Sequence, residues 1–179
     1  MKLKDGIKSG FASAFKGNRE IRYFAACFIG MFLLSNILVH KGVIQSCSME
    51  PTLITGDIVL YRMTLPNERI ERGTIVELKK DGVYYGKRVI GLPGDVVSFK
   101  DGNVFINNIL LSESYIPSGV DTNPLAGTSS YTVPDSSYFV LGDNREVSED
   151  SRAWSIPYIR SQDITGIYLA TIGHQAEKQ

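Results

Sequence analysis

The chain has 179 residues, 43% of them hydrophobic, with 19 basic and 19 acidic side chains. This hydrophobic content excludes a mainly disordered chain, and the formal net charge of zero argues against a nucleic-acid-binding protein that relies on electrostatic attraction. The length suits one compact domain with a small additional segment.

Basic residues are concentrated at the N-terminus, where residues 1–22 contain six lysines and arginines and two acidic residues. We expect residues 1–20 to be a basic cytoplasmic segment. Apolar residues recur there at every fourth position, which is typical of an amphipathic helix on the inner leaflet, but three glycines weaken the pattern and a tail without regular structure is the alternative.

Residues 21–40 are predicted to form a single transmembrane helix. Residues 23–40 contain no Asp, Glu, Lys or Arg, and about 20 residues cross a hydrocarbon core of ~30 Å. A cleaved signal peptide is an alternative, but no pair of small residues closely follows the apolar run. A lipoprotein signal ending at Cys47 is another, although Gln45 fits it poorly. The basic residues before the span place the N-terminus in the cytoplasm and residues 41–179 outside it.

Beyond residue 40 the sequence predicts a mostly antiparallel β domain, either a barrel-like sheet or a pair of sheets. Short runs rich in β-branched and aromatic residues alternate with turn residues, and Asp101-Gly102 is typical of a hairpin turn. Residues 109–137 are loop-like, and we expect about 101–137 to form a small inserted cap or excursion. The predicted strands cover residues 57–63, 73–80, 83–92, 95–100, 103–108, 138–142 and 164–172.

The segment SCSMEPTLITGD, residues 46–57, contains three candidate nucleophiles, and a serine hydroxyl needs a base to react at neutral pH. Histidine is the usual base, but the two in the chain, His40 and His174, lie in no recognisable motif. The two cysteines, Cys27 and Cys47, are expected in different environments and cannot pair. No Cys/His cluster has metal-ligand spacing, so neither a metal nor a cofactor is predicted.

Lysine is the other candidate base, and Lys87 lies inside a predicted strand between apolar residues. At an ordinary pKa near 10.4 only about one lysine in 2,500 is neutral at pH 7, but burial can lower this pKa by several units. Strand alternation sends Arg88 to the opposite face, where we expect its charge to be solvated. From composition alone, the alternative is that Lys87 and Arg88 are simply two charged residues on an exposed strand.

Three segments, SMEPTLITGD, KRVIGLPGD and GDNREVSEDSRAW, occur in this order behind the predicted span. Together they resemble the conserved boxes of the bacterial type I signal peptidases (leader peptidases), membrane-bound serine endopeptidases with a Ser/Lys dyad. The resemblance covers about residues 36–170, and a mitochondrial inner-membrane peptidase with the same chemistry is an alternative. The single span and short excursion depart from members with a second span or a large inserted domain. They suggest a compact or specialised member. A dedicated export or conjugation system and a general set of secretory substrates are both alternatives for such a member.

The resemblance implies a role for each matching residue. Ser48 is expected to be the nucleophile and Lys87 the general base, while Ser46 and the backbone N–H of Ser48 form the oxyanion hole. Ser148 is expected to orient the lysine amine. A nucleophilic Cys47 served by a histidine remains an alternative.

Other matching residues are expected to support the site or to contact the substrate. The supporting residues are Asp150 and Arg152, as an ion pair, with Asp143 and Asn144 in the same turn. The residues that border the substrate pockets are Ile44, Met49, Leu53 and Tyr85.

The activity implied by the resemblance is removal of signal peptides at the outer face of the cytoplasmic membrane. The expected partners are the lipid bilayer and secretory preproteins with small residues at −1 and −3, bound as an added β-strand. The alternative from another class is a membrane-tethered β domain without catalysis, acting as a binding or assembly factor. A substitution at Ser48 or Lys87 would favour it, and both residues are intact.

Overall fold

The computed structural model describes residues 19–125 and 127–175, so most of the predicted basic segment lies outside the described residues. The chain forms two compact units, Met1–Val39 and His40–Gln179. The described part of the first unit is dominated by helix α1, Arg19–Leu38. Within residues 19–125 and 127–175, no helix combines the length and the apolar character that a bilayer crossing requires.

The rest of the described chain is mostly β-structure, with two single-turn 3-10 helices at Cys47–Met49 and Ser161–Asp163. The strands are β1 (Val39–Val43), β2 (Asp57–Met63), β3 (Ile75–Lys80), β4 (Val83–Gly91), β5 (Val96–Lys100), β6 (Asn103–Ile106), β7 (Ile109–Leu110), β8 (Ser130–Thr132), β9 (Ser137–Leu141), β10 (Ile159–Arg160) and β11 (Ile164–His174).

The strands form two sheets. Seven make the larger sheet, in the order β1-β2-β11-β3-β4-β9-β10, and four make the smaller one, in the order β7-β6-β5-β8. Neighbouring strands from β2 to β10 in the larger sheet, and throughout the smaller sheet, pair antiparallel. The predicted antiparallel β fold is thus confirmed. The last described strand, β11, lies between two early strands, β2 and β3.

Strands β6, β7 and β8 of the smaller sheet lie within the predicted excursion, about 101–137, although the sheet begins at Val96, before residue 101. The predicted hairpin is confirmed: Asp101 and Gly102 join β5 to β6 with φ values of 49° and 75°. Positive φ at both positions suits a tight hairpin because its twist matches that of the flanking strands. The turn chemistry of the sequence therefore fixed this connection locally.

Strand β9 is buried along its whole length because it lies between two hydrophobic cores. Tyr138 and Val140 pack into one core, formed with side chains of β3, β4 and β11. Phe139 and Leu141 pack into the other, formed with side chains of the smaller sheet. Burial on both faces explains why this strand reads as a continuous apolar run without alternation.

A third core lies beneath the 3-10 helix Cys47–Met49. It consists of Met49, Leu53, Val59, Tyr61 and Ile75, all buried. Burying a side chain such as methionine or leucine contributes about 1.5–3 kcal/mol. This core therefore holds the segment on either side of Ser48 against β2 and β3.

Candidate active site

Ser48 and Lys87, which lie 39 positions apart, are in direct contact. Ser48 is in the 3-10 helix Cys47–Met49, whose last residue is anchored in the third core. Lys87 is in β4, paired with Val76 of β3. The Lys87 Nζ donates a hydrogen bond of 2.7 Å to the Ser48 Oγ. A serine hydroxyl within hydrogen-bond reach of a base is the arrangement that nucleophilic catalysis requires.

The Lys87 side chain is only 2% exposed, and its pKa reflects this. Burial lowers the pKa of Lys87 from its ordinary 10.5 to about 8, because desolvation penalises the ammonium form. The charges of Asp150, Glu149 and Asp143 oppose the effect, and that of Arg152 adds to it. At pH 7 about one such side chain in ten is neutral, against about one in 3,000 at the ordinary value. The amine can therefore accept a proton at neutral pH.

Ser46 and Cys47 lie on the solvent side of Ser48. The Ser46 Oγ is 3.2 Å from the Ser48 Oγ, so the two hydroxyl groups are hydrogen-bonded. The Cys47 thiol is exposed. Two hydroxyl groups and a thiol, each of which can donate a hydrogen bond or act as a nucleophile, thus occupy one turn. Of the three, only the Ser48 hydroxyl contacts a buried amine.

Neither histidine is hydrogen-bonded to Cys47 among the described residues, and each pairs with a carboxylate elsewhere. The His40 Nε2 is 2.9 Å from the Glu77 Oε2, and the His174 Nδ1 is 3.0 Å from the Asp57 Oδ1. A Cys/His dyad is therefore not formed in this structure. Among the described residues, no group of three or more His, Cys, Asp or Glu side chains could hold a metal ion.

The turn that begins at Gly142 packs against the segment around Ser48. The Asn144 side chain donates a hydrogen bond of 3.2 Å to the carbonyl of Cys47, and its backbone N–H donates one of 3.1 Å to the carbonyl of Ser48. A Cβ added at Gly142 would meet the carbonyl oxygen of Ser48 and the Oγ of Ser148. Only glycine permits this close approach.

Ser148 does not make the contact predicted for it. Its Oγ is buried and has no hydrogen-bond partner among the described residues. The Lys87 amine donates to Ser48 instead. Ser148 nevertheless lies beside the carbonyl of Ser48, because both approach the same point at Gly142. Its role in orienting the lysine stays a prediction.

Asp150 and Arg152 form a fully buried ion pair in the same turn. The Arg152 Nε and Nη2 each donate a hydrogen bond of 2.9 Å to a different oxygen of Asp150. Asp150 also accepts a hydrogen bond from the backbone N–H of Gly142, and Arg152 donates one to the carbonyl of Arg145. Such bidentate pairs fix geometry as well as charge. The pair therefore ties both ends of the turn together.

The prediction that Arg88 is solvated is wrong. Arg88 is buried and forms a bidentate ion pair with Asp143, at 2.8 and 2.5 Å. Asp143 also accepts a hydrogen bond of 2.5 Å from Thr52, and the Tyr115 ring lies 3.8 Å from the Arg88 guanidinium. A buried arginine is tolerable when its charge is paired. Its partner lies 55 residues further along the chain, so the strand pattern alone could not reveal it.

A third ion pair, which the sequence did not reveal, joins the excursion to the turn. The fully buried Arg145 donates hydrogen bonds of 3.0 and 2.6 Å to the two oxygens of Glu113 and one of 2.6 Å to Thr122. No motif marks Glu113, because its segment reads as an ordinary polar loop. The excursion is thus fastened to the residues that surround the Ser48–Lys87 contact.

A cleft of about 520 Å³ opens beside Ser48. One wall is the extended segment 42–46 and the other is residues 83–86 of β4. In the described pairing β9 contacts only residues 88–91 of β4, so the edge of residues 83–86 is free on this side.

Three of the four predicted substrate-binding residues, Ile44, Met49 and Tyr85, line this cleft. Leu53 does not, and the prediction is corrected here. Its side chain is fully buried in the third core, where it supports Met49 from below.

Comparison with known proteins decides the family. The family model described as signal peptidase, peptidase S26, matches residues 19–172. The chain belongs to this family. A signal peptidase I S from Bacillus subtilis is 38% identical over 128 residues, which are 67% of this chain and 70% of the relative.

A second curated relative shows the same relationship. A signal peptidase I P from Bacillus subtilis subsp. natto is 31% identical over 156 residues, 82% of this chain and 84% of that protein. A crystal structure of a signal peptidase I from Enterococcus faecalis is 32% identical, covers 56% of this chain and 97% of its own, and has a TM-score of 0.48.

Membership of the signal peptidase family confirms two predictions made from the sequence: the resemblance to type I signal peptidases and the activity of a serine endopeptidase. Signal-peptide removal by a family S26 peptidase is the activity that this relationship supports. A β domain without catalysis is therefore set aside.

Proposed function

We propose that Ser48 and Lys87 form a catalytic dyad that removes signal peptides from secretory preproteins. The observation that carries the proposal is the 2.7 Å hydrogen bond between the buried Lys87 Nζ and the Ser48 Oγ. The neutral amine takes the hydroxyl proton as the Oγ attacks the carbonyl carbon of the −1 residue. When the C–N bond breaks, the ammonium returns that proton to the leaving amine. A water deprotonated by the same lysine then releases the acyl group.

The negative charge that develops on the substrate carbonyl oxygen needs donors. The Ser46 hydroxyl lies 3.2 Å from the nucleophilic oxygen, and the backbone N–H of Ser48 belongs to the nucleophile itself. We assign both to the oxyanion hole. Loss of one such donor costs about 2.7–4 kcal/mol of transition-state stabilisation in comparable hydrolases.

Ser148 is proposed to orient the lysine once Ser48 has been acylated. Acylation removes the hydroxyl to which Lys87 is bonded in the free enzyme. The buried Ser148 hydroxyl has no hydrogen-bond partner among the described residues, and an unpaired buried polar group is costly unless it finds one. We therefore assign it as the next hydrogen-bond partner of the lysine amine.

The substrate is proposed to bind as an added strand along the free edge of residues 83–86. Unpaired N–H and C=O groups on a sheet edge accept an extended peptide, and pockets take alternate side chains. The −1 and −3 side chains then face the cleft, and the −2 side chain points away from it. Ile44, Met49 and Tyr85 border the space for the small −1 residue.

Helix α1, which precedes the β unit, is proposed to anchor the enzyme in the cytoplasmic membrane, with the β unit outside the cytoplasm. The proposal is supported by the uncharged segment 23–40 and by the six basic residues before it. We expect the protein to remain in the membrane pellet after carbonate extraction. We also expect residues 40–179 to be digested by protease added outside the cytoplasmic membrane. Release by carbonate would contradict the anchor without affecting the dyad.

The dyad is tested by cleavage of a preprotein by the full-length enzyme in detergent. Ser48→Ala and Lys87→Met should each reduce kcat/KM by at least ~1,000-fold, and Ser46→Ala by roughly 100- to 1,000-fold. Cys47→Ala changes the residue between the two serines and is the matched control, which should remain active. Activity retained by Ser48→Ala, or lost in Cys47→Ala with the fold intact, would overturn the assignment.

A further inference from the structure

The cleft has a polar floor where it extends away from Ser48 towards Gly42. Tyr61 and Glu77 both line it there, below the two walls. Neither belongs to the three segments that carry the family resemblance. A carboxylate and a phenol at this depth are unexpected for a cleft that takes only small apolar side chains.

Two glycines leave the space above Tyr61 open. A Cβ added at Gly42 would lie 3.0 Å from the Tyr61 ring, and one added at Gly86 would lie 3.4 Å from the Tyr61 hydroxyl oxygen. Both glycines belong to the walls, and neither has a positive φ, so the backbone does not require glycine at either position. Their effect is to widen the cleft over the phenol.

Glu77 lines this space, and one of its two carboxylate oxygens is already hydrogen-bonded. It is paired with Gly86 across β3 and β4, and its Oε2 is held by the Thr165 hydroxyl at 2.7 Å and by the His40 Nε2 at 2.9 Å. Its Oε1 accepts no hydrogen bond from the described residues. Because a carboxylate has about four acceptor positions, the anchoring of one oxygen leaves the other available to a ligand.

Tyr61 adds a second polar atom. Its hydroxyl makes no hydrogen bond within residues 19–125 and 127–175, although its ring is fixed by stacking on His40. Burial, together with the charges of Glu77 and Tyr168, raises the pKa of Tyr61, so the hydroxyl keeps its proton. The floor thus offers one acceptor and one group that can donate or accept.

We propose, on the basis of the function proposed above, that this floor is the subsite for the −3 side chain and selects hydroxyl-bearing residues over apolar residues of the same size. Alternate residues of an added strand face the same side about 6.6 Å apart. With the −1 side chain next to Ser48, the −3 side chain reaches the widened part of the cleft. A threonine there donates its hydroxyl hydrogen to the Oε1 of Glu77, and Tyr61 contacts the same hydroxyl.

Three substrates that differ only at −3, with Ala, Thr or Val, test the subsite. Threonine and valine have nearly the same shape, so their ratio of kcat/KM isolates the hydroxyl. The wild-type enzyme should prefer Thr over Val by about tenfold or more, as hydrogen bonds to charged groups predict. Glu77→Leu should reduce the ratio to one or below it, and Tyr61→Phe should reduce it partly.

The ratio is measured within one protein, so it does not depend on how much of a variant is folded. If Glu77→Leu gives no active protein, Glu77→Gln supplies the ratio, which should fall below that of the wild type. Gly86→Val should slow cleavage of the Thr and Val substrates much more than that of the Ala substrate, because it fills the space over Tyr61.

The outcomes separate the two levels of the proposal. The −3 subsite is overturned if the wild-type enzyme cleaves the Ala substrate but its Thr:Val ratio of kcat/KM is at or below one. It is also overturned if the Glu77 variants leave that ratio unchanged. Neither result contradicts the dyad. If none of the three substrates is cleaved by the wild-type enzyme, the proposed function fails and the subsite fails with it.

Discussion

Replacing Lys87 by methionine should stabilise the protein at neutral pH, because the buried amine is a stability cost. Its pKa is about 8 in the folded protein and 10.5 in its ordinary state. The folded state therefore releases its proton more readily than the unfolded chain. The cost is fully present below pH 8, decreases as the pH rises, and is absent above pH 10.5. It amounts to about 3.3 kcal/mol at pH 7 and about 0.8 kcal/mol at pH 10.

Methionine fills a similar volume without charge but cannot donate to Ser48, a loss of about 1 kcal/mol at either pH. Lys87→Met should therefore raise the free energy of unfolding by about 2 kcal/mol at pH 7 and leave it nearly unchanged at pH 10. Denaturant unfolding of the full-length protein in detergent measures this through the single tryptophan, Trp154, which is 8% exposed. The exposed Lys100 supplies the control, since Lys100→Met should have the same effect at both pH values. An equal stability difference at pH 7 and pH 10 for Lys87→Met would refute the buried neutral amine.

The other predictions concern the charges around the amine. The pH profile of kcat/KM should rise with a slope of one to a midpoint near pH 8, because only neutral Lys87 accepts the proton; a midpoint near pH 6 would point to a histidine instead. Glu149→Gln removes an exposed charge that raises the pKa of Lys87, so the same profile should move to lower pH, and a move to higher pH would contradict the assignment. Asp150→Asn leaves Arg152 buried without its partner and should destabilise by about 3–5 kcal/mol in urea unfolding. Arg160→Ala, which breaks an exposed ion pair, is its control and should leave the unfolding midpoint unchanged.

Local chemistry in the sequence predicted much of the β unit. The Asp101-Gly102 turn and the β-branched runs depend on residues next to one another, and both are confirmed. The proximity of Ser48 and Lys87 could be expected only from the resemblance of three ordered segments, since no local rule brings together residues 39 positions apart.

The errors have a common physical origin in contacts between distant segments. Arg88 is buried because Asp143 pairs with it, and Leu53 is buried because a third core forms beneath the nucleophile segment. The tie between Glu113 and Arg145 joins a loop to a turn 32 residues away. Strand alternation describes the two faces of a strand, but it does not say what covers each face.

The place of β11 between β2 and β3 has a consequence for how a new enzyme molecule becomes active. The strand is the last one described, yet it joins two strands that are synthesised about a hundred residues earlier. The larger sheet cannot close before residues 164–174 have emerged, and such long-range pairing is slow. The larger sheet of a nascent chain therefore stays incomplete through most of its synthesis.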